Sequence, residues 1–358
     1  RGDGQACQGK VRQMTDPGRS LFEKAEWFRR SAEYEKAIDL YQKALAHLKK
    51  QSDIDGTLDC TISLADTFRA KGEFVTAKKY YEDAIEIAGA LDDMTAEADA
   101  FAGLGLSLRA LGDWNAAMGL IARANRLYST LHDKKGEAFS TWARGGTYRI
   151  KGDVKRALTD LQAALKMFRT LKDKSGIAYS YCGLGGSSRI AERFGDSEKY
   201  YTLANQSFQK LKDRFGLAYS YCGLGNVCRM KGDYKNALRY FRKAEVLYKQ
   251  IGDRVSYAYT LWSVGTSYKM LGDYEKALKS FKESMGFFKQ TKDPRGQIYC
   301  VLGIGETDYL NGRKARAKKA FSKALASAED FGFRVEKKYA QKLLKAFGQG
   351  SGFPVNLP

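Results

Sequence analysis

The sequence predicts an all-α solenoid: eight helical hairpins in tandem, followed by a C-terminal capping helix. Three observations predict it. The stretch 213–252 recurs, with the same order of residue types, forty residues later and forty residues earlier. A turn signal, mostly Gly followed by an acid, returns at a constant step of 40. Between the signals the apolar residues keep the three-to-four spacing of a buried helix face. In one repeat they are Leu224, Cys228, Tyr234, Ala237, Leu238, Phe241 and Ala244. A tandem array adds units to one continuous core, so 358 residues do not require separate domains.

Taken in order, residues 1–14 are polar and expected to be flexible, and the repeats occupy 15–332. The turn inside each hairpin is Ala32-Glu33, Gly72-Glu73, Gly112-Asp113, Gly152-Asp153, Glu192-Arg193, Gly232-Asp233, Gly272-Asp273 and Gly312-Arg313. Gly relieves the backbone where the first helix ends, and the acid suits the positive start of the second. The joint between repeats carries Asp53, Asp93, Asp133, Asp173, Asp213, Asp253 and Asp293, each a candidate N-cap. Small residues form two columns. One is Ala25, Ala65, Gly105, Gly145, Gly185, Gly225, Gly265 and Gly305; the other is Ala37, Ala77, Ala117, Ala157, Ser197, Ala237, Ala277 and Ala317. A mid-helix Gly costs about 1 kcal/mol against Ala, so its recurrence implies close helix approach. Residues 333–347 read as a basic capping helix, and 348–358 as a flexible Gly-rich tail.

Composition excludes several classes. No run of 18 apolar residues exists, so no span of a membrane is expected. The first residue is Arg with no apolar signal region after it, which reads as a processed or partial chain. The formal charge is +20, yet residues 51–100 hold twelve acids against four bases. An acidic patch thus sits near one end of a basic body, which would attract anionic partners. The cysteines at 7, 60, 182, 222, 228 and 300 form no CxxC pair, and two of them share a packing column. Reduced thiols in a reducing, cytoplasmic compartment follow as the expectation, with no metal site. His47 and His132 are the two histidines; neither joins a Ser or Cys set, and no phosphate-binding glycine loop opens a helix after a strand. The expectation is a non-enzyme without a cofactor.

The columns Tyr221, Leu224-Gly225, Ala237, Phe241 and Ala244 resemble the tetratricopeptide repeat over about residues 13–332. Cys228 stands where that pattern has an aromatic, the period is longer than the usual ~34, and the fifth repeat departs most, with Glu192 for Gly and Ser197 for Ala. The phrasing DRxG…YxxLGxxY…GDYEKAL is similar to the subclass found in LGN/Pins-type scaffolds. The resemblance implies a right-handed superhelix whose first helices line a concave groove.

On those first helices, one column reads Asp59, Asp99, Phe139, Tyr179, Tyr219, Tyr259, Tyr299 and Tyr339, with Trp142 and Trp262 beside it. A second is cationic: Arg29, Arg69, Arg109, Arg149, Arg189, Arg229 and Lys269. Arg forks suit carboxylate or phosphate, and Tyr gives apolar area with a polar tip. Two readings of the cations stay open: ligand contact, or support of the turn acid four residues on. The tyrosines likewise serve either a ligand or lateral helix packing. A third column reads Asp66, Leu106, Gly146, Gly186, Asn226, Thr266 and Glu306; Asn226 alone fits the clamp that some relatives use for a terminal carboxylate. The groove Arg of LGN/Pins-type proteins is replaced here by the tyrosine column, so their partner does not carry over.

The sequence therefore predicts a scaffold that holds an extended segment of a partner protein in its groove. Arg69, Arg109, Arg149, Arg189, Arg229 and Lys269 would take acidic groups. Tyr179, Tyr219, Tyr259, Tyr299, Trp142 and Trp262 would act as apolar anchors, with Asn226 as a polar contact. Asp59, Asp66 and Asp99 would take a basic stretch. Two alternatives are kept: RNA or single-stranded DNA in the same groove, and a regulatory subunit using a basic convex face at Lys235, Arg239 and Lys243.

Overall fold

In a computed structural model, which describes residues 16–347 and Asn356, the chain is a stack of seventeen α-helices. They are α1 (Pro17–Arg30), α2 (Tyr34–Lys50), α3 (Ile54–Lys71), α4 (Phe74–Ala90), α5 (Met94–Ala110), α6 (Trp114–Thr130), α7 (Lys134–Lys151), α8 (Val154–Thr170), α9 (Lys174–Ile190), α10 (Phe194–Leu211), α11 (Arg214–Met230), α12 (Tyr234–Ile251), α13 (Arg254–Met270), α14 (Tyr274–Gln290), α15 (Pro294–Leu310), α16 (Lys314–Asp330) and α17 (Arg334–Phe347). Odd- and even-numbered helices pair as hairpins, and each odd helix also touches the next odd helix. No described helix is long and apolar enough to cross a membrane. The segments 1–14 and 348–358, expected to be flexible, lie outside the described residues apart from Asn356.

Caps set the helix starts. Each aspartate of the joint column accepts a backbone N–H two or three residues on: Asp53 from Gly56, Asp173 from Gly176, Asp253 from Val255 and Ser256. Within hairpins, Asp113, Asp153, Asp233 and Asp273 cap the same way. Glu33 and Glu73 make no side-chain cap, being one methylene longer, and Arg193 and Arg313 have no acceptor to offer.

Close approach explains the small columns. A Cβ on Gly225 would lie 2.5 Å from the Phe241 ring of the paired helix, and one on Gly216 would lie 2.2 Å from the Phe208 ring of the preceding repeat. Both helix–helix distances are set by the missing side chain, so each aromatic is locked against its neighbours.

The coil also touches itself. Ala32 and Tyr34 of the first repeat pack with Ile251 and Phe215. A side chain on Gly72 would meet Val255, and one on Gly112 would meet Phe331 and Pro294. Trp114 Nε1 donates to the Phe331 carbonyl at 3.1 Å, and α17 reaches α7. The first four hairpin turns thus meet the helix starts five repeats further on. The concave groove expected along the first helices is thereby narrowed to an inner channel lined mostly by first helices.

Candidate binding channel

A cavity of about 330 Å³ lies in that channel. Arg109, Arg149 and Arg189 line it from three successive repeats, and Tyr219, Asn226, Tyr259, Trp262 and Tyr299 line it from later ones. The cations project inward because they share a face of the first helices with the small-residue column. They lean forward: Arg109 Nη1 stands 2.7 Å from where a Cβ on Gly146 would sit, and Arg149 Nη1 3.4 Å from that of Gly186. Arg109 and Arg149 therefore face the third column of the next repeat.

That column decides each cation's state. At the N-terminal end it supplies acids. Arg29 donates to Glu26 at 2.7 Å, and Arg69 donates to Asp66 at 2.9 Å and to the Tyr81 hydroxyl at 2.9 Å. At the C-terminal end Lys269 pairs with Glu306, both buried, and the Tyr339 hydroxyl donates to Glu306 at 2.5 Å. In the middle the column is Leu106, Gly146, Gly186 and Asn226, with no carboxylate. Arg109 makes one long bond, to the Ala143 carbonyl at 3.4 Å, and the buried Nε atoms of Arg149 and Arg189 have no partner among the described residues. Burial, with Arg149 nearby, pushes the Arg109 guanidinium down to about 10. Burial, with Arg189 nearby, pushes Arg229 down to about 9. Both remain cations at neutral pH, held in a space that disfavours charge and so favours an arriving anion.

Arg229 differs from the others. It is fully buried, its Nε donates to Asn226 at 3.2 Å, and its guanidinium lies 5.3 Å over the Trp262 ring. It also donates to the Asn356 side chain, whose amide donates back to the Arg229 carbonyl at 3.3 Å. Residue 356, in the segment after α17, thus packs against Arg229.

The aromatic column forms a spine between repeats. The Tyr179 hydroxyl donates to the Asp213 cap of the next repeat at 2.8 Å, and Trp142 donates to the Tyr179 carbonyl at 3.3 Å. Trp262 does the same to Tyr299 at 2.8 Å, and the Tyr259 ring lies 4.6 Å from that of Phe288. Trp262 and Tyr299 are buried, with burial pushing the Tyr299 hydroxyl up to about 12, yet their edges reach the cavity; Tyr179 and Trp142 do not line it. The acidic residues do not join it either. Asp59 is exposed, Asp66 is bonded to Arg69 and Tyr81, and Asp99 accepts from Tyr128 at 2.6 Å. Lys235, Arg239 and Lys243 are exposed on α12.

Sequence reasoning missed two kinds of residue. Arg295 lines the cavity and donates to Glu336 of α17 at 2.6 Å, but its position repeats as no column, so nothing marked it. Tyr201 lines it from a second helix, whereas only first helices were expected there. The described cysteines are free, and no described group of His, Cys, Asp or Glu could hold a metal.

The tetratricopeptide repeat profile matches residues 18–90, 176–250 and 216–290, together more than half of the chain. The chain belongs to the tetratricopeptide repeat family. No curated protein matches its sequence. Among solved structures, this tetratricopeptide repeat protein is similar to a Rap protein complexed with competence and sporulation factor, at TM-score 0.62 and 14% identity, covering 93% of this chain and 98% of that one. It is also similar to NprR in complex with its cognate peptide NprX, at TM-score 0.61 and 15% identity, covering 84% and 85%. The apo form of RapI gives TM-score 0.54 at 15% identity, covering 87% and 97%. At these identities the likeness is one of fold.

Proposed function

We propose that the protein is a non-catalytic scaffold that holds an acidic, partly apolar segment of a partner protein in its inner channel. The observation that carries this is the middle run of Arg109, Arg149 and Arg189, which project into a cavity without a salt bridge among the described residues. Like charges in a low-dielectric space are costly to assemble, and an anionic ligand offsets that cost. Tyr219 and Tyr259 offer apolar area on the same wall. Two proteins of like fold, the Rap protein and NprR, are described with a bound factor and a bound peptide, which supports a peptide over other anions. The nucleic-acid alternative draws less support, because the Trp262 and Tyr299 faces that would stack on bases are packed in the core. Asp59, Asp66 and Asp99 do not line the cavity, and the acid that does, Asp293, serves as the N-cap of α15.

The test is fluorescence anisotropy with a labelled peptide of alternating Glu and Leu, beside a labelled oligothymidylate of equal charge. The peptide is expected to bind the wild type and to lose at least about tenfold in affinity to Arg149→Gln/Arg189→Gln, as loss of two charge-assisted contacts requires. Tighter binding of the oligonucleotide, or a double variant that binds the peptide as well as wild type, overturns the reading.

A further inference from the structure

Three repeats share a pair of side chains that the others lack. Arg29 and Tyr41, Arg69 and Tyr81, and Arg189 and Tyr201 stand at equal positions and equal spacing. In the first two repeats a carboxylate three residues before the Arg completes a triad. Glu26 accepts from Arg29 Nε at 3.0 Å and from the Tyr41 hydroxyl. Asp66 accepts from Arg69 Nη2 at 2.9 Å and from Tyr81 at 2.5 Å, while Arg69 Nε donates to the Tyr81 oxygen. In the fifth repeat that third position is Gly186.

The two donors are nonetheless in place. Arg189 Nε, the atom that bonds within both complete triads, is buried with no partner among the described residues. A Cβ at Gly186 would lie 3.2 Å from the Tyr201 oxygen and 3.4 Å from Arg149 Nη1. A carboxylate at this point would thus meet a hydroxyl and two guanidiniums. Tyr201 is held rigidly: side chains on Gly185 and Gly223 would come within 2.9 and 2.1 Å of its ring. All three residues line the cavity.

We propose that Arg149, Arg189 and Tyr201 form a carboxylate subsite over Gly186, in which an acidic side chain of the ligand takes the place that Asp66 fills in the second repeat. This rests on the channel reading above and names its anchor. Gly186 leaves the seat open, and the donors are spaced by the fold rather than by the ligand, so little ordering opposes binding. A carboxylate suits the site as two oxygens facing a planar fork.

Two measurements test it on the full chain. The first needs no ligand: the melting temperature of Gly186→Asp against Gly186→Asn. Both fill the seat with equal volume, and only Asp brings charge. Asp is expected to melt several degrees higher; equal melting overturns the subsite. The second uses glutarate at matched ionic strength. It is expected to raise the melting temperature of wild type and of Gly186→Asn less or not at all, and to leave Gly186→Asp unchanged. Wild type that ignores glutarate, or a Gly186→Asp variant that responds as wild type does, overturns the subsite. Protection by glutarate together with no binding of the Glu-Leu peptide would instead refute the peptide reading alone.

Discussion

The second and fifth repeats hold the same Arg and Tyr, yet Asp66 closes one triad and Gly186 leaves the other open. The same contrast runs along the whole coil. Both ends neutralise their inward cations with their own acids, Glu26 and Asp66 at one end and Glu306 at the other. The middle leaves Arg109, Arg149 and Arg189 facing Leu106, Gly146, Gly186 and Asn226. One column of cations is therefore paired with acids at the ends, while Arg109, Arg149 and Arg189 in the middle make no salt bridge among the described residues. What separates the two states is a neighbouring column, not the cations themselves.

The largest break in this comparison is at the C-terminal end. Glu306→Gln removes the buried carboxylate that pairs with the fully buried Lys269 ammonium. Burial already pulls that ammonium below its ordinary range. Loss of the carboxylate is expected to cost about 3–5 kcal/mol, read as a lower midpoint in urea unfolding. A cost under about 1 kcal/mol would mean that the ends are not held by their pairs.

Much of this architecture is legible in the residues alone. The joint aspartates are seen to cap, and the glycine column is seen to seat the Phe241 type of ring, because both depend on contacts within about one repeat. Arg29 and Arg69 take Glu26 and Asp66 as partners, while the turn acids Glu33 and Glu73 pair with Lys36 and Lys71, so the turn-support reading does not hold at those two positions. Helical spacing puts residues three apart on one face, so Asp66–Arg69 could have been weighed from sequence. Contacts across five repeats could not. Gly72 with Val255, Trp114 with Phe331 and the cavity wall at Arg295 depend on the pitch of the coil, which accumulates from small rotations that no single column encodes. The same pitch turns the expected concave groove into a narrow channel and buries Trp262 and Tyr299 as spine.

A smaller effect is expected at the other end. Asp66→Ala removes an acceptor shared by Arg69 and Tyr81. Both side chains of the ion pair are partly open to solvent, so the cost is about 2 kcal/mol rather than that of a sealed pair. It should also convert the second repeat to the state of the fifth, and a gain of glutarate protection in this variant would sharpen the comparison. Thermal melts with and without glutarate check both parts.

The smallest effect discriminates best. Tyr81→Phe and Tyr201→Phe remove the same oxygen from the same place in two repeats. Tyr81 donates to Asp66 and accepts from Arg69, so its loss removes one of the two donors to that carboxylate and the acceptor of Arg69 Nε, and is expected to cost about 1–2 kcal/mol. The Tyr201 hydroxyl faces the open seat, so its loss from the unliganded protein is expected to stay within about 0.5 kcal/mol. In the presence of glutarate the order should change, because only the Tyr201 oxygen serves the ligand. Equal costs for the two substitutions in the unliganded protein, measured by urea unfolding, would mean that the fifth repeat already satisfies its triad. The distinction between closed ends and open middle would then fail.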